Sequence, residues 1–224
     1  GIRGRVTAAT GGAPLPGVLV ALLDATGIGM GGTFANAAGD FELMTLPGNY
    51  QLISLANGYI ADFAAGSATV VTNQFTTHNL ALATGAFTIS GRVTDATGGA
   101  GIPGVFVNAE STNNLFAGAT TDAAGNYSFA VSASQWKVHM GGSELAQIGY
   151  LRPDNVITNI TSASAANVNF AVPKATALIY GTVKDNLNNP VNGAGTRADD
   201  QGYLYEAEGV SMAPNGNYTL GVLA

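Results

Sequence analysis

What most constrains this chain is that it repeats itself. The stretch GRVTAATGGAPLPGVLVALLD from Gly4 returns almost unchanged as GRVTDATGGAGIPGVFVNAES from Gly91, an offset of 91 − 4 = 87 residues. A third opening, GTVKDNLNNPVNGAGTRADD, starts at Gly181, a further 181 − 91 = 90 residues along. Each opening is followed by a second shared signal: NAAGDFELMTL from Asn36, TDAAGNYSFAV from Thr121 and APNGNYTLGVL from Ala213. A period this long exceeds that of a solenoid repeat and matches a small domain. The 224 residues therefore divide into repeats at 1–85, 86–175 and 176–224.

Each repeat reads as β-structure. PGVFVNAE alternates apolar and polar residues with period two and is rich in β-branched and aromatic types. AAGNYSFAV sets Gly125 at a turn and then puts Tyr127, Phe129 and Val131 on one face. YQLISLANGY in the first repeat and WKVHMGGSELAQIGY in the second read as a further strand ending in Gly-Tyr; THNLALA and NVNFAVP close these repeats. No stretch sustains a helical period with caps. Aligned through Gly125 and Gly216, the third repeat is expected to be incomplete, without counterparts of SQWKVHM, QIGY and NVNFAV. Such a half-sandwich leaves unpaired backbone and an open apolar core. Two explanations stand side by side: the chain is a window on a longer array, or a neighbouring subunit completes the sheet in head-to-tail self-association.

Composition narrows the function classes. Charged residues are only 10% of the chain, and the net charge is −6 with eight scattered Lys and Arg. Nucleic acid and anionic membrane surfaces demand clustered basic residues, so both are disfavoured as partners. Without cysteine, no disulfide, thiolate chemistry or zinc finger is available. The longest apolar run, GVLVALL, is far shorter than the roughly 20 residues of a membrane-spanning helix. No leader-like segment is visible.

The order of conserved-looking positions across the repeats carries a resemblance. Gly91, Val93, Asp95, Pro103, Gly104, Val105, Val107, Asp122, Gly125, Tyr127 and Tyr150, with parallel positions in the first repeat, form a pattern that resembles the carboxypeptidase regulatory-like and transthyretin-like β-sandwich domains. The resemblance implies an all-β fold of tandem Greek-key sandwiches of about seven strands each, non-catalytic and used as spacer or accessory modules outside the cell. The first repeat departs from the pattern at Ala8 and Asn36, where the acidic residue is missing, and the third at Asn192, in place of the second proline.

Candidate chemistry is sparse. His78 and His139 fall in different repeats at non-equivalent positions, and neither anchors a metal or catalytic set. No nucleophile elbow, zinc-protease, P-loop or dinucleotide motif occurs, so no catalytic residue and no cofactor is expected. Asp199, Asp200, Glu206 and Glu208 form the densest acidic stretch. A hard cation such as Ca²⁺ takes such oxygens, but the spacing is not that of a calcium loop. The preferred reading is a solvated loop and the outward face of a strand. Asn126, Asn159 and Asn217 each begin an Asn-x-Ser/Thr pattern and are candidate glycan acceptors. Trp136 aligns with Tyr50 and is expected in the core, whereas Tyr203 and Tyr205, two apart on one strand face, could stack a sugar. Together these features point to an extracellular or cell-surface structural protein, a rod of sandwiches assembling into a filament or adhesive appendage. The alternative is a carbohydrate-binding or spacer region of a larger secreted hydrolase.

Overall fold

A computed structural model describes residues 1–25, 27 and 29–224. In the first repeat the strands are β1 (Ile2–Ala8), β2 (Leu19–Asp24), β3 (Gly29–Phe34), β4 (Asp40–Leu43), β5 (Gly48–Leu55), β6 (Tyr59–Asp62), β7 (Ser67–Val70), β8 (Thr76–Thr77) and β9 (Leu80–Thr84). The second repeat holds β10 (Phe87–Asp95), β11 (Phe106–Ser111), β12 (Leu115–Thr120), β13 (Asn126–Val131), β14 (Ser134–Met140), β15 (Arg152–Pro153), β16 (Val156–Ile160) and β17 (Phe170–Val172). The third shows β18 (Ala177–Thr182), β19 (Gly195–Asp199), β20 (Tyr205–Val210) and β21 (Asn217–Val222).

The fold is all-β, and the first two repeats are sandwiches of one design. In the second, β13-β10-β17 faces β12-β11-β14-β16. In the first, β1 lies between β4 and β9 and faces the sheet β3-β2-β5-β7. The first strand of each repeat meets its last strand in parallel, Val6 opposite Leu80 and Val93 opposite Phe170. Period-two patterning drives this arrangement: Tyr127, Phe129 and Val131 all point inward, and Trp136 is fully buried among them. The tryptophan is thus a core residue, as its alignment implies.

The shared glycine of the opening motif is there for close approach. A Cβ on Gly4 would sit 1.8 Å from the His78 carbonyl oxygen, and one on Gly91 would sit 1.9 Å from that of Val168. The last strand can lie alongside only because no side chain intervenes. The departures at Asn36 and Asn192 have local explanations. Asn36 Oδ1 accepts the N–H groups of Ala38 and Asp40, as Asp122 Oδ1 accepts those of Ala124 and Asn126. The turn needs the oxygen, and the charge is dispensable. At Asn192 the following Gly193 has φ +76°, equal to Gly104, so the turn survives without its proline.

One segment differs from the sequence reading. GGSELAQ does not continue the strand: β14 stops at Met140 and a short helix, α1 (Gly142–Gln147), follows and buries Leu145. Six residues are too few for a helical period to register against the flanking glycines.

Among the described residues, β18 of the third repeat pairs only with β21, and β19 with β20, which β15 of the second repeat also joins. The buried core of the third repeat is Leu151, Ala207 and Leu220. Ile179 is 45% exposed, whereas its equivalents Ile2 and Ile89 are at 0%.

Candidate functional site

The chemistry-bearing region of this molecule is where repeats meet. After the Gly-Tyr signal, the chain of one repeat pairs with a strand of the next, β6 while also paired with β9 of its own repeat. β6 pairs antiparallel with β12, Asp62 opposite Leu115 and Ala61 opposite Phe116. β15 pairs antiparallel with β20, Pro153 opposite Tyr205 and Arg152 opposite Glu206. The two registers are identical when the repeats are aligned. Each junction ends on an equivalent bond: Phe63 N–H donates to Asn114 O at 2.9 Å, and Asp154 N–H to Leu204 O at 3.0 Å. The linkers are tied down in the same way, Gly85 N–H to Gly58 O and Ala175 N–H to Gly149 O. Backbone geometry at the start also repeats, with φ +80° at Gly58 and +81° at Gly149.

Side chains interlock across these strands. Ile60, from the first repeat, is buried in the core of the second, and Phe116, from the second, is buried in the core of the first. Leu151, the equivalent of Ile60, is likewise buried in the core of the third repeat. At the first junction Phe63 meets Phe116 edge-on, ring centroids 5.2 Å apart. At the second, the matching position holds charge. Arg152 donates to Glu206, Arg197 Nη2 lies 2.9 Å from the same Oε2, and Arg197 also holds Asp199 at 2.8 Å.

The acidic stretch is therefore only partly what its spacing implied. Glu206 is not on an outward face: it is 8% exposed, because β15 covers the edge where it sits. Burial pushes its carboxyl up, but Glu208 beside it and the two arginines outweigh that and hold it below the usual range. Glu208, next to that carboxylate and half-buried, is held above it. Asp200 accepts the N–H groups of Gly202 and Tyr205 and so shapes its own turn. Asp199 and Glu206 meet arginine, and no group of three or more His, Cys, Asp or Glu poised for a metal ion occurs among the described residues.

The remaining candidates are dispersed. Asn126, Asn159 and Asn217 are exposed; Asn126 and Asn217 open β13 and β21 at equivalent positions. Asn126 Nδ2 donates to Asp122, and Asn159 Oδ1 accepts from Gln135. His78 Nε2 contacts Ala65 O at 2.6 Å, and His139 lies 3.8 Å from Glu110. Tyr203 and Tyr205 do not share a strand face: Tyr203 sits before β20 with φ +54°, exposed, and Tyr205 is half-buried against the third core. Sequence reasoning missed Phe63, Phe116 and Arg152, whose partners come from a neighbouring repeat, and Arg197, which meets Asp199 and Glu206 within its own.

No helix among the described residues is long and apolar enough to cross a membrane. No curated protein matches the sequence. Among solved structures, the chain is similar to the Bacillus anthracis TIE protein (14% identity, TM-score 0.36), covering 97% of this chain and 42% of that one. It is also similar to a streptococcal ancillary pilin (13%, TM-score 0.34; 79% and 62% covered) and to the shaft pilin SpaA from Lactobacillus rhamnosus GG (12%, TM-score 0.31; 79% and 97%). It thus spans less than two thirds of the length of the first two. The model of the carboxypeptidase regulatory-like domain matches residues 1–83 and again 88–173. With both repeats matched end to end and built as the same sandwich, the chain belongs to the carboxypeptidase regulatory-like domain family.

Proposed function

We propose that this chain is a non-enzymatic structural protein of the cell surface or extracellular space, a stiff rod of sandwiches assembling head to tail into a fibre or adhesive appendage. The observation that carries this reading is the repeated junction. A flexible string of domains would be joined by linkers alone, and relative motion would be the default. Here a backbone strand and a shared core residue fix each neighbour in one orientation, and the same register recurs twice. A surface poor in charge, with apolar Ile179, Leu178 and Tyr180 exposed on β18, favours association along the rod axis. Electron micrographs of the native material test this. Extended fibres of uniform width are expected; discrete particles, with monodisperse monomers at high concentration, would remove the fibre reading.

A further inference from the structure

The outer face of the sheet around the first strand offers the same positions in repeats one and two, filled differently. In the first repeat, alternation turns Ile2 and Val6 inward and Arg3 and Arg5 outward on β1, and Asp40 and Glu42 outward on β4. The antiparallel register sets Arg3 opposite Glu42 and Arg5 opposite Asp40. On the other side of β1, Thr77 stands beside Arg3, and Asn79 follows two residues on. Phe34, which closes β3 of the facing sheet, borders the same area and is 68% exposed. The depression they line holds about 640 Å³, within the size range of small-ligand sites.

Half of these charges are committed and half are not. Arg5 holds Asp40 through two bonds, Nε to Oδ1 at 2.6 Å and Nη2 to Oδ2 at 3.2 Å. Arg3 and Glu42 stand opposite each other yet join no ion pair among the described residues. The Arg3 guanidinium lies over the Phe75 ring, 5.6 Å from its centroid. Asn79 Oδ1 accepts the Arg5 N–H at 3.0 Å, which leaves its Nδ2 to donate elsewhere.

The second repeat shows whether a neighbour covers this face. It has a repeat on either side, and at the equivalent positions Arg92, Thr120, Asn126, Ser128, Asn167 and Asn169 are all exposed. The face therefore stays open within the array. Its chemistry there is plainer. Ser90 and Ser128 stand for Arg3 and Glu42, Thr120 stands for Phe34, and Arg92 donates to the Ala124 carbonyl instead of a carboxylate. On the same backbone, the first repeat carries free charges and an exposed ring that the fold does not need.

We infer that this depression binds a neutral saccharide chain. Its charges balance, Arg3 and Arg5 against Asp40 and Glu42, so an ionic ligand meets as much repulsion as attraction. A ligand that only donates hydrogen bonds satisfies Glu42 and leaves Arg3; one that only accepts does the reverse. Adjacent sugar hydroxyls do both, accepting from Arg3 and Asn79 and donating to Glu42. The C–H face of a sugar ring covers Phe34, whose apolar surface otherwise stands in water. This goes beyond the fibre reading and does not depend on it, since a dissolved chain carries the site as well as an assembled one.

Calorimetric titration of the whole chain with maltohexaose, cellohexaose and mannohexaose tests the assignment, with hexagalacturonate and the chitosan hexamer as charged counterparts. Saturable binding to at least one neutral hexamer is expected, with amide shifts confined to residues 3–5, 33–42 and 77–79. Phe34→Thr and Glu42→Ser install the residues of the second repeat, where the same fold accommodates them. Each should weaken binding about tenfold, for Glu42 the equivalent of one charged hydrogen bond. No binding to any neutral hexamer, unchanged affinity in either variant, or tighter binding of a charged hexamer overturns the assignment. Fibres of a chain that binds no sugar would remove the site and leave the fibre; sugar binding by a chain that never forms fibres would do the opposite.

Discussion

The two junctions of this molecule share a backbone and differ in what they bury. Between the first and second repeats the crossing strand brings Ala61 against Phe116, with Phe63 edge-on. Between the second and third, the same register sets Arg152 against Glu206, with Arg197 on the far side. An aromatic contact gains from burial without condition, at about 25 cal/mol per Å² of apolar surface. A buried ion pair must first recover the cost of desolvating both charges, and its worth depends on both partners being present. The first junction is therefore a permanent weld, and the second a joint whose strength answers to its surroundings.

The largest effect that would break this contrast is Phe116→Ala. Phe116 is 5% exposed, and its loss opens a cavity in the first core, at a cost of about 4 kcal/mol in denaturant unfolding. The Phe63 amide should lose its protection from exchange at the same time. Next comes Arg152→Met, which leaves the buried Glu206 carboxylate with Arg197 as its one arginine partner and should cost about 2 kcal/mol at neutral pH, the loss of one charged hydrogen bond. Adding Glu206→Leu should return most of that loss; if the double variant is as weak as the single one, the pair is not what holds this joint.

The smallest effect is the dependence on pH. Glu206 lies below the usual carboxylate range in the folded chain, so its contribution is present above the ordinary value of about 4.3 and is lost as pH falls through the depressed one. Glu208 is held above that value, first by its neighbour Glu206 and then by burial, so its contribution is full in acid and lost as pH rises through the raised value. Protection of the Asp154 amide, corrected for intrinsic exchange, should therefore peak between the two values and decline on both sides. The Phe63 amide should show no such peak. Matching profiles at both amides would erase the distinction.

Much of the fold is legible in the sequence because it rests on residues whose role is intrinsic. Gly4 and Gly91 mark a close approach, the Asn36 and Asp122 turns mark hairpin starts, and alternation in NYSFAV marks an inward face. The junctions are not legible in the same way. Their register is a property of backbone hydrogen bonds, and the residues after Gly-Tyr share one apolar position and nothing beyond it: Ile60-Ala61-Asp62 in one case, Leu151-Arg152-Pro153 in the other. Glu206 reads as a surface acid because its cover arrives from the preceding repeat. Spacing alone puts Tyr203 on a strand, and only its left-handed backbone shows the turn.

The exchange of core residues between neighbours has a consequence for how the array comes apart. Ile60 completes a core that lies one repeat ahead of it in the chain, and Phe116 completes one that lies one repeat behind. When either of the first two repeats unfolds, it pulls a wedge out of its neighbour and leaves a hole there. Cooperativity then extends past the single domain: melting is a nearest-neighbour affair, with each loss lowering the barrier to the next. A repeat flanked on both sides is held from both directions, and the ends are where unravelling begins.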